Sequence, residues 1–276
     1  MVLGASAPPA PVVEVLTGSP FGMQFHNGTP YFDAPGWDPV LGVRAALDLL
    51  GWQAEWAGGG SPAEAVDRLR AATQEGPVLV GPVEIGLLRH APDMTGPIGS
   101  DHFVVVLDVA GQVVFHDPQG FPFATLPVDV FSAAWELNAF DYPSEPFTMV
   151  SRFRREREVA VLDALAASLP QARARIGDGS GSAAAAAELA EIIAAGPDDG
   201  LRAHLVYFAV KVGTRRLADA ATCLSEIGAS TAAEVATEQA RLLGALQYPL
   251  TIGDTVTAAR LLRELAPTYP HLAAHL

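Results

Sequence analysis

Two runs of residues with strong β propensity, 102–109 (HFVVVLDV) and 112–117 (QVVFHD), stand on either side of Ala110-Gly111. Runs of this kind across two residues that include a glycine read as a tight antiparallel hairpin. This commits the middle of the chain to a sheet. With a two-residue turn, Val109 faces Gln112, His102 faces Gln119 and Val104 faces Asp117. Alternation then puts His102, Val104 and Val106 on the same face as Val113, Phe115 and Asp117. His102 and Asp117 become diagonal neighbours, about 7–8 Å apart at Cβ or somewhat less. An imidazole and a carboxylate can bridge that gap, and a carboxylate on one ring nitrogen orients a histidine as a general base. A structural His–Asp pair at a sheet end is the other reading. His116 points to the opposite face. A bulge at Gly111 would move this register by one residue.

The rest of the first half alternates helix and strand signals. Residues 1–37 read as ordered loop with one strand over Pro11 to Leu16. Asp38 is a good N-cap and Pro39 suits the first turn, so a helix is expected from Pro39 to Leu50, ended by Gly51. Gly58 to Gly60 form a break. Ser61-Pro62-Ala63-Glu64 is a capping box for a second helix, to about Gln74. Residues 77–88 have strand character, 89–100 form a loop, 127–137 a short helix and 146–153 a further strand. After about residue 154 strand signals vanish. Alanine-rich helical patterns follow near 155–168, 182–195, 199–212, 214–227, 230–246 and 253–266, with Gly177 to Ser182 as a flexible connector. The expectation is an α+β domain over residues 1–154 and an all-helical domain over residues 155–276.

Composition narrows the function. The 276 residues carry a formal net charge of −14, which opposes nucleic acid and anionic membrane surfaces as partners. It suits a cationic small-molecule substrate. Lys211 is the only lysine, and Cys223 the only cysteine, so neither an internal disulfide nor a thiolate metal cluster can form. The N-terminal stretch makes a poor signal peptide, and no apolar run reaches membrane-spanning length. A soluble cytoplasmic protein is expected, with self-association left open. No HExxH, Walker A or strand-led GxGxxG motif occurs, so no metal and no cofactor is expected.

At 61–88 (SPAEAVDRLRAATQEGPVLVGPVEIGLL) and 101–135 (DHFVVVLDVAGQVVFHDPQGFPFATLPVDVFSAAW) the chain resembles the papain-like C39-type peptidase fold. Within it, the nearest branch is that of the butirosin biosynthesis protein H. The helical C-terminal region, with 213–229 (GTRRLADAATCLSEIGA) and 258–267 (AARLLRELAP), is similar to the extension of many members. The resemblance implies acyl transfer from a carrier protein to an amine. It implies His102 as the catalytic histidine and Asp117 as its acidic partner.

The departure is at the nucleophile. Such families carry a cysteine at the start of the first helix, about thirteen residues before a glycine like Gly51, and Asp38 stands there. Asp38 is a cap in a pseudoenzyme that binds a ligand or partner, an acid or base opposite His102, or a nucleophile forming an anhydride. Cys223, in an apolar helical pattern, reads as packing. Gln24 is a candidate oxyanion-hole amide. His26, Asn27 and Trp37 are candidates to line the cleft. Glu84 would meet a basic ligand group or Arg89, and His90 and Asp93 lie on a loop over the cleft. The functional expectation is a biosynthetic enzyme using His102-centred acid/base or acyl-transfer chemistry on an amine-bearing or carrier-tethered substrate. An acidic carrier protein would fit the acidic chain poorly. The alternative is an inactive binding or scaffold partner.

Overall fold

Side-chain caps at Asp38 and Ser61 mark where two of the helices begin. The computed structural model describes residues 2–136, 140, 142 and 144–276. The chain starts with a 3-10 turn at Gly4–Ser6 and then α1, Ala10–Leu16. A strand was expected at the second of these. Pro11 sits in the first turn of α1, and Val12, Val15 and Leu16 are buried at helical spacing, so packing overrides the β propensity of three valines. The short strands β1 (Gln24–His26) and β2 (Thr29–Tyr31) form an antiparallel pair. Then α2 runs Pro39–Leu49, with the Asp38 carboxylate accepting from Leu41 N at 2.8 Å. Gly51, at φ +72°, turns the chain where an added Cβ would lie 2.6 Å from Arg157 O.

The sheet follows: β3 (Trp52–Ala57), α3 (Pro62–Thr73), β4 (Val78–Glu84), β5 (Asp101–Val109), β6 (Gln112–Asp117), β7 (Phe121–Pro127), α4 (Val128–Glu136) and β8 (Met149–Arg155). Strands β3 and β7 cover stretches for which the sequence reading gave no strand. The expected end of α4 at Leu137 lies outside the described residues. The sheet has six strands in the order β3-β8-β4-β5-β6-β7, and every paired neighbour is antiparallel. The capping box at Ser61 and Glu64 starts α3. Ala65, Leu69 and Ala72 of α3, with Phe131, Ala134 and Trp135 of α4, are buried in one cluster with Val78, Val80, Val104, Val106, Val113, Phe115 and Leu126 of the strands. Burying each of the larger side chains is worth about 1.5–3 kcal/mol. Trp135 also donates Nε1–H to Thr148 O at 2.8 Å, so its one polar atom is satisfied.

The remaining elements are helical: α5 (Val161–Ile176), α6 (Ser180–Ala195), α7 (Asp199–His204), a π-wound turn (Leu205–Ala209), α8 (Val210–Glu226), α9 (Ser230–Ile252), α10 (Thr255–Leu265) and α11 (Thr268–His275). The GDGSGS stretch is an ordered turn and not a flexible connector. Asp178 Oδ1 accepts from Ser180 N and Ser180 Oγ, and an added Cβ on Gly179 would lie 2.5 Å from Tyr269 O. The two expected helices over 199–227 are joined through the π-wound turn.

The architecture is therefore α+β, a six-stranded sheet with a helical C-terminal region. Two compact units divide it. One holds Met1–Ala7 and Trp52–Glu156; the other holds Pro8–Gly51 and Arg157–Leu276. The second crossing lies between Glu156 and Arg157. The grouping of Pro8–Gly51 with the C-terminal helices differs from the expected single N-terminal domain. Its cause is visible in side chains: Met23 and Phe32 are buried in the same cluster as Ala185, Leu189, Leu243 and Leu262, and Met23 N donates to Ser182 Oγ. None of the helices among the described residues is long and apolar enough to cross a membrane.

Candidate functional site

The sheet unit gathers two histidines on one carboxylate. The hairpin turn takes one residue more than expected, so Val109 pairs with Val113. A bulge between Val106 and Asp108 then restores the expected register, and Val106 pairs with Phe115 and Val105 with His116. His102 and Asp117 thus continue the buried stripe of Val104, Val106, Val113 and Phe115 at its end. His102 Nε2 lies 2.9 Å from Asp117 Oδ1. His116 serves the opposite face, where its Nδ1 accepts from Phe123 N at 3.0 Å.

Asp117 has two more partners. Gln119 N donates to Oδ1 at 2.7 Å, and His90 Nε2 lies 2.9 Å from Oδ2. The Asp117 side chain is 1 % exposed, that of His90 7 % and that of His102 12 %. Burial alone would raise the Asp117 pKa, but the hydrogen bonds from His102, Gln119 and His90 and the charge of His102 hold it below the usual carboxylate range. Both imidazoles therefore face an ionised acceptor, and each must present Nε2–H to it. In the neutral ring that leaves a lone pair on Nδ1. His102 consequently has a basic nitrogen outside the Asp117 bond, while Asp117 fixes the ring's tautomer and tilt.

His90 is the partner that the sequence did not reveal. It was expected only as part of a covering loop, and neither spacing nor periodicity ties residue 90 to residue 117. The loop is folded inward by Glu84. That side chain is fully buried at the end of β4, and its carboxylate accepts from Gly86 N, Ile98 N and Gly99 N, each at 3.0 Å. Glu84 is thus used by backbone amides, which corrects its expected role toward a basic ligand or Arg89. The His90 ring packs edge-on against Phe115 and Phe121, with centroids 4.8 and 5.1 Å away. Asp93, from the same loop, is exposed.

The other expected site residues lie in the helical unit. Asp38 caps α2 as described. Trp37 is buried, donates Nε1–H to Thr17 O at 2.8 Å and carries the Arg216 guanidinium over its ring at 5.0 Å. Gln24 spends its amide on structure, donating to Asp33 Oδ1 at 2.7 Å and accepting from Gly36 N at 2.9 Å. This accounts for both ends of the side chain without an oxyanion. His26 packs edge-on against Tyr31, and Asn27 takes a left-handed backbone conformation at φ 45° in the β1–β2 turn. Cys223 is buried in α8, where burial and the nearby Glu226 and Asp219 charges push its thiol up to about 11, so it is a poor source of thiolate. His271 and His275 stand one helical turn apart on α11 with ring centroids at 4.8 Å. Among the described residues no three His, Cys, Asp or Glu side chains are grouped to hold a metal ion.

Comparison with known proteins bears on the helical end. Residues 177–276, from the Gly177 turn through α11, match the family described as the YobF C-terminal domain. A relative, "Uncharacterized protein YobF" of Bacillus subtilis (strain 168), is 32% identical over 134 residues. The aligned part is 48% of this chain and 43% of the relative, so the chain spans less than half the length of the curated relative that it matches. His90, His102 and Asp117 all lie outside the residues matched to the family.

Proposed function

We propose that the sheet unit is a general-base centre for acyl transfer to an amine, with His102 as the base and Asp117 as its orienting partner. The observation that carries this reading is the buried Asp117 carboxylate bonded to His102 Nε2, which leaves Nδ1 basic. In the reaction, a substrate amine attacks the carbonyl of an acyl thioester. His102 Nδ1 takes the amine proton as the C–N bond forms. The C–S bond breaks, and the same proton passes to the departing sulfur. No enzyme thiol is needed, in keeping with an aspartate at position 38 and a buried Cys223. The resemblance to papain-like enzymes of the butirosin protein H kind supports a biosynthetic acyltransferase, and the net charge of −14 supports a cationic acceptor.

A second reading, a non-catalytic binding partner, draws support from the cap made by Asp38 and from the structural use of Gln24, Trp37 and Glu84. The test uses acyl N-acetylcysteamine thioesters with an aminoglycoside acceptor and follows release of free thiol. On the catalytic reading His102→Ala lowers the rate by about 10²-fold or more, the usual contribution of a general base, with an unchanged circular dichroism spectrum. Equal rates in the two proteins would favour the binding partner.

A further inference from the structure

We infer that His90 is a positioning residue: its imidazole occupies Asp117 Oδ2 through Nε2 and so leaves the exchange of protons in this cluster to His102. The inference rests on the reading of His102 as the base. Its ground is an asymmetry between two rings that bond the same carboxylate at the same 2.9 Å. His90 Nδ1 is buried with no hydrogen-bond partner among the described residues, and its side chain is 93 % removed from solvent. As a bare lone pair that atom already forgoes a hydrogen bond, and adding a proton would add a buried charge to that loss. Protonated, it would be a buried N–H donor with nothing to bond, which is the expensive state. The edges and faces of Phe115 and Phe121 around it offer no acceptor oxygen. No nitrogen of His102 is buried and unpartnered in this way.

The consequence reaches His102 through Asp117. A neutral donor on Oδ2 draws carboxylate charge away from Oδ1 and weakens the hold on an imidazolium at His102. His90 thereby keeps His102 able to release its proton, and it prevents Asp117 from rotating away. The other ionisable groups on the surrounding elements are otherwise engaged or exposed. Glu84 on β4 is held by backbone amides, Asp101 on β5 accepts from the Tyr142 hydroxyl at 2.8 Å, and His116 on β6 bonds Phe123 N. Arg89 and Asp93 of the loop and Asp129 and Glu136 of α4 are exposed, and β7 carries no ionisable side chain.

Long-range 1H–15N spectra of the histidine rings in the 276-residue chain, recorded from pH 5 to 9, test this without any substrate. The expected result is Nε2–H on both neutral rings, with His90 unchanged across the range and His102 titrating. In His90→Phe the His102 midpoint rises by about half a pH unit or more, whereas His90→Gln, which keeps an amide donor, leaves it within a few tenths. A protonated His90 or an Nδ1–H tautomer there would overturn the inference. So would an unmoved His102 midpoint in a His90→Phe protein with an intact amide fingerprint. If that variant does not fold, the wild-type tautomers and the glutamine variant decide. Failure of the thioester assay would count against acyl transfer alone and leave these spectra to judge His90.

Discussion

Asp117 in the sheet unit and Glu14 with Asp33 in the helical unit are carboxylates drawn out of water, yet they are neutralised in different ways. Asp117 is bonded by two imidazoles and by no permanent cation, and an imidazole can carry a proton in or out. Glu14 and Asp33 face Arg216, at 2.7 and 3.7 Å, and a guanidinium keeps its charge at any ordinary pH. Ser19 Oγ donates to Glu14 at 2.8 Å, and Trp37 lies under Arg216. The first cluster is suited to passing a proton. The second is suited to holding α1, the β2–α2 segment and α8 in one arrangement. Buried charge alone therefore does not mark a site; the titration range of its partner does.

That contrast can be broken from either side. Asp117→Asn keeps the shape and removes the charge, and an amide can present N–H where an acceptor is needed. Thioester turnover should fall about 10²–10⁴-fold, measured by thiol release, with the helical unit unaffected. Arg216→Met should do the reverse. It takes the Arg216 guanidinium from Glu14 and Asp33 and leaves Glu14 the more exposed Arg215 at 3.5 Å, so urea unfolding should show a loss of about 2 kcal/mol. That is below the ~3–5 kcal/mol of fully buried pairs because the Arg216 side chain keeps 17 % exposure. The His102 ring titration should not move.

Acid sharpens the comparison further. The Asp117 pKa is lowered in the folded chain, so its stabilisation is complete above the unfolded value of about 3.9 and is lost as pH falls through the folded one. The urea midpoint of the wild type should therefore drop more between pH 5 and pH 3 than that of Asp117→Asn, the exposed carboxylates cancelling between the two proteins. The smallest effect is at position 38. Asp38→Ala should cost about 1 kcal/mol, and Asp38→Ser, which can still cap α2, only a few tenths. If Asp38→Ser kept stability but lost more than tenfold in turnover, the carboxylate would have a chemical task beyond its hydrogen bond to Leu41 N.

What could be read from the sequence follows the reach of each signal. Asp38-Pro39 and Ser61-Pro62-Ala63-Glu64 announce helix starts because a cap acts within three residues. The His102–Asp117 pair was legible because strand alternation carries across a hairpin. It survived an error in the turn only because the bulge near Leu107 compensates, and nothing in the local sequence announces that bulge. The helix at Ala10–Leu16 was misread because tertiary burial of Val12, Val15 and Leu16 outweighs propensity. Residues 8–51 were grouped with the wrong unit for a related reason: Met23 and Phe32 find their apolar partners more than 150 positions downstream. His90 and the true duty of Glu84 depend on a loop closing over distance, which no periodicity encodes.

Glu84 ties together backbone positions separated by more than ten residues, and His90 rides on the segment between them. The span from Ile85 to Gly99 is thus a clasped ring with its fastening in the interior. Such a ring opens as one piece or not at all. The amides of Gly86, Ile98 and Gly99 should then exchange with deuterium at a common rate, and each opening would carry His90 away from Asp117. The same fastening that orders the loop would thereby set how often the cluster stands undone.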